Sequence, residues 1–243
     1  DGGGAGHAGL GIVAAREHAG GSGDGGGLGF AADQQDAVAG DQALRRGLLR
    51  RAAADPRTLA GLVAEIRQRY EIDPEHLSIG FLVDHIGYAR TLGMFRKAEG
   101  AFGFDEETGE LTNLKVVVDT ASVFSNHKKR DEHLRSADFL NSKEFPEMVF
   151  TAQSARRTGE NTFDIPGQLE LLGKTRPMTL EATWNKSAEY PFGGGLLGGK
   201  PYVMGVSAQG RILRSEFGMS YAVDNGWVGD EVELIIEFEA RRQ

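Results

Sequence analysis

Segment 125–139 concentrates histidine, acidic and basic side chains, the types that bind metal ions or anionic groups. His127 and His133 are candidate zinc ligands, and Asp131 lies between them. On a helix, a spacing of six residues places the two histidines about 240° apart, so they cannot share one ion. Only His127 and Asp131 would share a face, and two ligands do not make a metal site. The sequence therefore predicts no metal here.

A basic cluster lies in the same segment of this acidic protein, and its members are Lys128, Lys129, Arg130 and Arg135. The cluster could contact a pyrophosphate head group through charge-assisted hydrogen bonds. A solvated helix face with local ion pairs, such as Asp131 with Arg135 at i, i+4, is the favoured interpretation. Ser125 or Asn126 is the expected N-cap of that helix.

The sequence offers little for catalysis. It has no G-x-S-x-G nucleophile elbow and no H-E-x-x-H zinc motif. The glycine-rich run 193–199 lacks the G-K-[ST] ending of a phosphate-binding loop, which favours a flexible rim loop or a lid at a barrel mouth. Leu196 and Leu197 of this run, with Phe192, could contact a membrane or an entering lipid tail. We predict that the protein is not an enzyme.

The elements that must position these residues fall into two regions of unlike composition. Glycine and alanine make up almost half of residues 1–69, which contain no lysine. Such a leader cannot bury enough apolar surface to offset its conformational entropy, so we predict disorder over about its first 40 residues. Apolar spacing predicts helices over 41–53 and 56–68. They form either a marginal helix pair, which is favoured, or a membrane-surface anchor or partner helix.

Residues 70–243 show the two-residue alternation of strands that have one apolar face. Val232, Leu234 and Ile236, for example, alternate with glutamates. We count eight or nine such strands, which can form a sandwich or a closed barrel. Glycines within the strands favour the barrel because they permit bends and bulges. These glycines are Gly80, Gly100, Gly103 and Gly205.

Composition also excludes several classes of protein. The net charge of −8 and the lack of a long basic stripe argue against nucleic acid as a partner. No run approaches the roughly 20 apolar residues of a membrane-spanning helix. The chain contains no cysteine, which excludes disulfides, thiolate metal sites and a cysteine nucleophile.

Segment 119–154, DTASVFSNHKKRDEHLRSADFLNSKEFPEMVFTAQS, resembles the signature of the YceI family of bacterial lipid-binding proteins. The resemblance covers residues 70–243 and none of residues 1–69. It suggests that Arg130 and Arg135 tie the helix to the barrel. The matching positions are Asn126-His127, Arg130-Asp131, His133-Leu134-Arg135-Ser136, Asp138-Phe139-Leu140, Phe145-Pro146, Phe150, Tyr70-x-Ile72-Asp73, Phe81-x-Val83-x-His85, Gly87, Gly173-Lys174-Thr175-x-Pro177 and the closing strand 228–240.

The resemblance implies an all-β fold, an eight-stranded antiparallel lipocalin-like β-barrel with one short helical connection, preceded by the leader. It implies no cofactor, and it implies binding, sequestration or transport of a long-chain isoprenoid lipid, of the isoprenoid quinone or polyprenyl pyrophosphate type, in the barrel lumen. The alternative is a barrel enzyme acting on an isoprenoid or another small amphiphile, with His85 or Asp84 as acid or base. A barrel without a lumen that acts through its surface is a third reading.

A transient membrane contact and a homodimer are both compatible with such a barrel. Many members of this family are exported to the periplasm behind a signal peptide. No charged n-region followed by an apolar h-region precedes Tyr70, which leaves a cytoplasmic location open.

Strand parity selects the side chains that could face a lumen, and for each of them core packing is as good an explanation as ligand contact. His85 continues the parity of Phe81 and Val83, so it could hydrogen-bond a quinone carbonyl or a head group. A structural histidine is the favoured interpretation of His85. The lumen candidates are Phe81, Val83, His85, Phe95, Phe102, Phe150, Leu169, Leu171, Leu180, Trp184, Val232, Leu234 and Ile236.

Overall fold

A computed structural model describes residues 68–192 and 199–243, together with Gly61. The leader predicted over 1–69, with its helices at 41–53 and 56–68, lies outside the described residues except for Gly61, Gln68 and Arg69. The apolar pair predicted to contact lipid in the glycine-rich run also lies outside them. The strands are β1 Arg69–His85, β2 Ala89–Phe95, β3 Ala98–Phe104, β4 Leu111–Asp119, β5 Val123–Phe124, β6 Glu147–Ala152, β7 Arg156–Arg157, β8 Thr162–Leu171, β9 Lys174–Glu189, β10 Tyr202–Leu213 and β11 Val228–Arg242. Helix α1 is Lys128–Leu134, and two 3-10 turns span Thr120–Ser122 and Arg214–Phe217.

Eight of the strands close into an antiparallel barrel. Their order is β1, β11, β10, β9, β8, β6, β4 and β3, and β3 returns to β1. The closing seam between β1 and β11 runs from Tyr70 opposite Arg242 to His85 opposite Val228. Because the sheet closes on itself, alternate residues of every strand face the interior of the barrel. The predicted eight-stranded antiparallel barrel with one short helical connection is confirmed, and the sandwich is excluded.

The described residues form eleven strands, more than the eight or nine expected, because one predicted strand is divided in two and because β5 and β7 are additional strands of two residues each. Over the run 93–104 the sequence suggests a continuous strand, but β2 ends at Phe95 and β3 begins at Ala98. The amides of Arg96 and Lys97 instead donate to the Ser122 hydroxyl, both at 3.1 Å. β1 therefore pairs with β3 near its start and with β2 near its end.

Two of the strand glycines lie at irregularities of the ladder, as the sequence suggests. The register of β3 against β4 shifts between Ala101 and Gly103, and that of β10 against β9 shifts between Gly205 and Val206. A shift of this kind bends a strand and increases its twist, which helps a sheet to curl into a barrel.

Helix α1 begins one residue later than the predicted caps allow. Its N-cap is His127, whose Nδ1 accepts from the Arg130 amide at 3.3 Å. Ser125 cannot cap the helix because its hydroxyl donates to Asp131, and Asn126 lies in the left-handed region at φ 60°. The prediction of Ser125 or Asn126 as cap is therefore wrong.

Two arginines of this segment hold α1 against β5 and the serine that follows it. Arg130 donates through Nε to the Ser125 hydroxyl at 2.8 Å, and Arg135 donates through Nη1 to the Val123 carbonyl at 3.1 Å. Asp131 is buried and accepts the Ser125 amide at 2.7 Å, so the ion pair expected between Asp131 and Arg135 is not formed. The suggestion that these arginines tie the helix to the barrel is confirmed.

The end of the barrel away from α1 is held together by two tyrosines that share one carboxylate. Tyr70, near the start of β1, and Tyr202, at the start of β10, both donate to Glu106 in the β3–β4 turn, the latter at 2.9 Å. Burial and, after it, the hydrogen bond to Glu106 raise the pKa of both phenols above the usual range. Both phenols therefore remain donors at neutral pH.

A bulge in β1 carries a second ionic cluster whose pKa shifts predict a pH dependence of stability. Asp73 is buried and accepts from His76 Nδ1 at 3.0 Å and from Arg241 Nη2 at 2.6 Å. Burial opposes ionisation of Asp73, but these hydrogen bonds and the Glu75 amide outweigh it and lower its pKa. The hydrogen bond to Asp73 raises the pKa of His76.

We expect the melting temperature to be higher at about pH 5.5 than at about pH 8. The raised pKa of His76 stabilises the fold fully below its unfolded value of about 6.5, and this contribution is lost as the pH rises through the folded value. The lowered pKa of Asp73 stabilises the fold above about 3.9, and this contribution is lost as the pH falls through the folded value. Thermal unfolding followed by circular dichroism should show a smaller difference between the two pH values for His76→Asn. An unchanged difference would contradict this assignment.

Candidate functional site

A cavity of about 320 Å³ lies at the end of the barrel that carries α1. Its wall is mostly apolar and comes from β1, β2 and β11, and its roof comes from α1 and the segment between β10 and β11. The volume lies near the lower end of the range for small-molecule sites, which is about 300–1,000 Å³.

Seven of the thirteen predicted lumen residues line this cavity. Phe81 and Val83 on β1 face Leu234 and Val232 on β11 across the closing seam. The Phe81 ring also packs against Phe95, with centroids 5.7 Å apart. Strand parity thus brings together residues distant in sequence. The seven are Phe81, Val83, His85, Phe95, Leu171, Val232 and Leu234.

The other six predicted residues do not line the large cavity. Phe102 and Trp184 border a second cavity of about 60 Å³ towards the opposite end. Phe150, Leu169 and Leu180 are buried in the core and border neither cavity, and Ile236 is partly buried against that core. Along β8, Leu171 lines the large cavity and Ile165 the small one, with Leu169 between them. The interior therefore contains two cavities separated by packed side chains, so the reading of a barrel without a lumen does not hold.

The roof of the large cavity is organised by a buried arginine that the sequence reasoning missed. Arg214 is only 2% exposed and lines the cavity. Its guanidinium donates to four backbone carbonyls at 2.7–2.9 Å, and so binds the connection between β10 and β11 to the barrel. Burial lowers the pKa of Arg214, and the nearby charge of Asp230 opposes that shift. The four carbonyls belong to Met219, Tyr221, Val228 and Gly229.

An aromatic cluster completes the roof. The His133 ring packs edge-to-face on Phe139 and Tyr221, with centroids 4.9 and 5.0 Å away. His133 Nε2 lies 2.9 Å from Asp138. His127 caps the helix instead of pointing to a shared ion, and no group of three or more acidic or histidine side chains in the described part of the chain could hold a metal.

Polar side chains reach the large cavity from β1 and β2. Asp84, His85 and Thr91 border it, together with Arg130, His133 and Arg214 from the roof. His85 is exposed, and its ring has no hydrogen-bond partner among the described residues, which does not fit the favoured interpretation of a structural histidine. This arrangement provides donors and acceptors for a polar head beside an apolar chamber.

Most of the missed residues lie outside the regular strands. Arg214, Tyr221 and Trp227 follow the end of β10, where side-chain parity no longer predicts direction. The sequence contains one sign of Trp227. It directly follows the Asn225-Gly226 turn, and a large aromatic residue is unusual beside a turn.

Comparison with known proteins decides the family. The sequence model described as YceI-like domain matches residues 70–240. The chain belongs to the YceI-like family. Protein YceI of Salmonella arizonae is 38% identical over 192 residues, which cover 76% of this chain and 95% of that protein.

Solved structures agree on the barrel of the YceI-like family. Burkholderia cenocepacia BcnA gives a TM-score of 0.60 at 19% identity and covers 69% of this chain and 98% of its own. A polyisoprenoid binding domain from Saccharophagus degradans gives 0.52 at 13% identity, with coverage of 72% and 98%. At such identities these two likenesses show the fold alone. No helix among the described residues is long and apolar enough to cross a membrane.

Proposed function

We propose that this YceI-like barrel binds a long-chain isoprenoid lipid, of the quinone or polyprenyl pyrophosphate type, and sequesters or transports it. The observation that carries the proposal is the 320 Å³ apolar cavity with polar groups gathered at one end. An amphiphile needs both features, since its tail gains free energy by leaving water and its head must keep hydrogen bonds. The polyisoprenoid binding domain of Saccharophagus degradans has the same fold.

The lining of the cavity suggests where the two ends of the ligand would lie. The head would lie near His85 and Thr91, whose ring N–H and hydroxyl could donate to a carbonyl or phosphate oxygen. The tail would pass between Phe81 and Leu234 towards the packed layer that contains Leu169. A long chain would displace that layer and reach the small cavity beyond it, so binding of longer tails should require movement of core side chains.

An enzyme acting on the same amphiphile is the alternative, and it rests on Asp84 and His85 bordering the cavity. The two functions differ in what purification yields. A carrier should retain a lipid of several hundred daltons, detected by native mass spectrometry and identified after solvent extraction. An enzyme should be isolated without lipid and should convert an isoprenoid substrate, with conversion lost in His85→Ala.

Filling the cavity should abolish lipid retention. Val83→Phe places a ring in the large cavity, so we expect the co-purifying lipid to fall at least about tenfold. The matched control is Val206→Phe, which makes the same change beside the small cavity. It should retain more lipid than Val83→Phe and should bind short isoprenoids as well as the parent. Equal loss of short-chain binding in both variants, at equal thermal stability, would contradict the assignment of the head-group end.

A further inference from the structure

Large apolar side chains are exposed at the mouth of the large cavity. Tyr88 is 91% exposed, Trp227 57% and Ile86 48%. Ile86 and Trp227 also line the cavity, so each contacts both the chamber and the solvent. We call Ile86, Tyr88 and Trp227, with the half-exposed Tyr221, the mouth rim.

The mouth rim is a fixed structure. The Ile86 amide donates to the Trp227 carbonyl at 3.0 Å, which joins the β1–β2 turn to the β10–β11 connection. Arg214 binds the Tyr221 and Val228 carbonyls from below, both at 2.9 Å. The apolar side chains are thus presented from an anchored backbone, and they do not turn inwards to complete a core.

The β1–β2 turn contains an apolar residue in a backbone conformation that is unfavourable for it. Ile86 and Gly87 are its two central residues, with φ of 53° and 70°. A turn with two positive φ values favours asparagine or glycine, and a β-branched residue is strained there. Turn formation therefore does not explain the isoleucine at this position.

From this geometry we infer that the mouth rim docks the barrel, cavity first, onto the surface of a neutral phospholipid bilayer. Tryptophan and tyrosine favour the interface between headgroups and hydrocarbon, where one part of the ring is apolar and the other hydrogen-bonds. The net charge of −8 disfavours an anionic surface, so burial of apolar side chains must drive the contact. Docking in this orientation would open the cavity directly to the lipid phase.

The inference goes beyond lipid binding in the lumen and does not depend on which lipid is bound. It also places the membrane contact at the opposite end of the barrel from Phe192, which the sequence suggests as a membrane contact. Phe192, 73% exposed, follows β9 at the end marked by Tyr202, away from α1. Phe192 thus provides a matched control, an exposed aromatic residue at the wrong end for docking.

The test uses the full chain and phosphatidylcholine vesicles. Trp227 is a natural reporter, and a Trp184→Phe background leaves it as the only tryptophan of the two in the sequence. We expect its fluorescence to shift to shorter wavelength with vesicles and to be quenched by brominated acyl chains. Tyr88→Ser combined with Ile86→Asn should weaken partitioning by at least about tenfold. Phe192→Ser should change it less than twofold.

The Ile86→Asn substitution alone tests whether weaker vesicle binding results from misfolding. Asparagine suits the left-handed turn, so this variant should melt no lower than the parent while it binds vesicles more weakly. Absence of a Trp227 shift at millimolar lipid, or equal loss in Phe192→Ser, would overturn the inference. A Trp227 shift that follows protein concentration without vesicles, with a dimer in sedimentation, would assign the mouth rim to a second copy of this chain and overturn it as well.

Discussion

Replacing Arg214 by methionine is expected to lower the free energy of unfolding by about 3–5 kcal/mol. The side chain is buried and donates to four carbonyls, of which that of Met219 is buried and those of Val228 and Gly229 belong to half-buried residues. Methionine has a similar length but no donor, so these carbonyls would lose their partners. Urea unfolding, with native-state lipid content measured in parallel, gives the stability change and its functional consequence.

Two further variants separate the roles of geometry and charge. Arg214→Lys keeps the charge, but an ammonium offers three donors on a flexible stem where the guanidinium forms a planar fork, so an intermediate loss is expected. Arg211→Met is the surface control on β10, the strand that ends directly before Arg214, because Arg211 is exposed and lies 3.8 Å from Glu231. That substitution should change stability by less than about 0.5 kcal/mol. Equal effects at Arg211 and Arg214 would show that the carbonyl network does not stabilise the roof.

The sequence predicts the wall of the site far better than its roof. The inward direction of Phe81 and Val83 is predictable because side chains alternate strictly between the two faces of a strand. The role of Arg214 is not predictable in this way. Its side chain donates to carbonyls of residues 5 to 15 positions later in the chain, and no periodicity of the sequence indicates such contacts. Parity also cannot measure depth, so Phe102 and Leu169 could not be assigned to the small cavity and to the packed layer.

The wall and the roof also suggest different physical tasks. The wall is a set of apolar side chains on hydrogen-bonded strands, which is expected to change little when a ligand binds. The roof consists of α1 and the β10–β11 connection, which the Arg214 side chain binds to the barrel and which carries Tyr221 and Trp227 of the mouth rim. Loss of the Arg214 contacts should therefore disturb the lumen and the mouth rim together, whereas Val83→Phe should affect the lumen alone.

Replacing Gly93 by alanine is expected to destabilise the barrel by about 2–3 kcal/mol and to reduce lipid binding. Gly93 lies opposite Phe81 in the β1–β2 pair, and a Cβ there would lie 2.2 Å from the tip of the Phe81 ring. The ring would have to turn away from Gly93 and further into the cavity. Chemical unfolding and lipid retention should therefore fall together in this variant.

Two further variants test whether the clash with the Phe81 ring causes the destabilisation by Gly93→Ala. Phe81→Leu in the Gly93→Ala background removes the clash, so the double variant should be more stable than Gly93→Ala by more than about 1 kcal/mol, a coupling expected only between residues in contact. Gly80, in the partner strand, has its nearest atom at 3.6 Å from an added Cβ, so Gly80→Ala should be neutral or slightly stabilising. If Gly80→Ala instead lowers the free energy of unfolding as much as Gly93→Ala, the strands need glycine for their curvature. The clash with the Phe81 ring would then not be the cause of the loss.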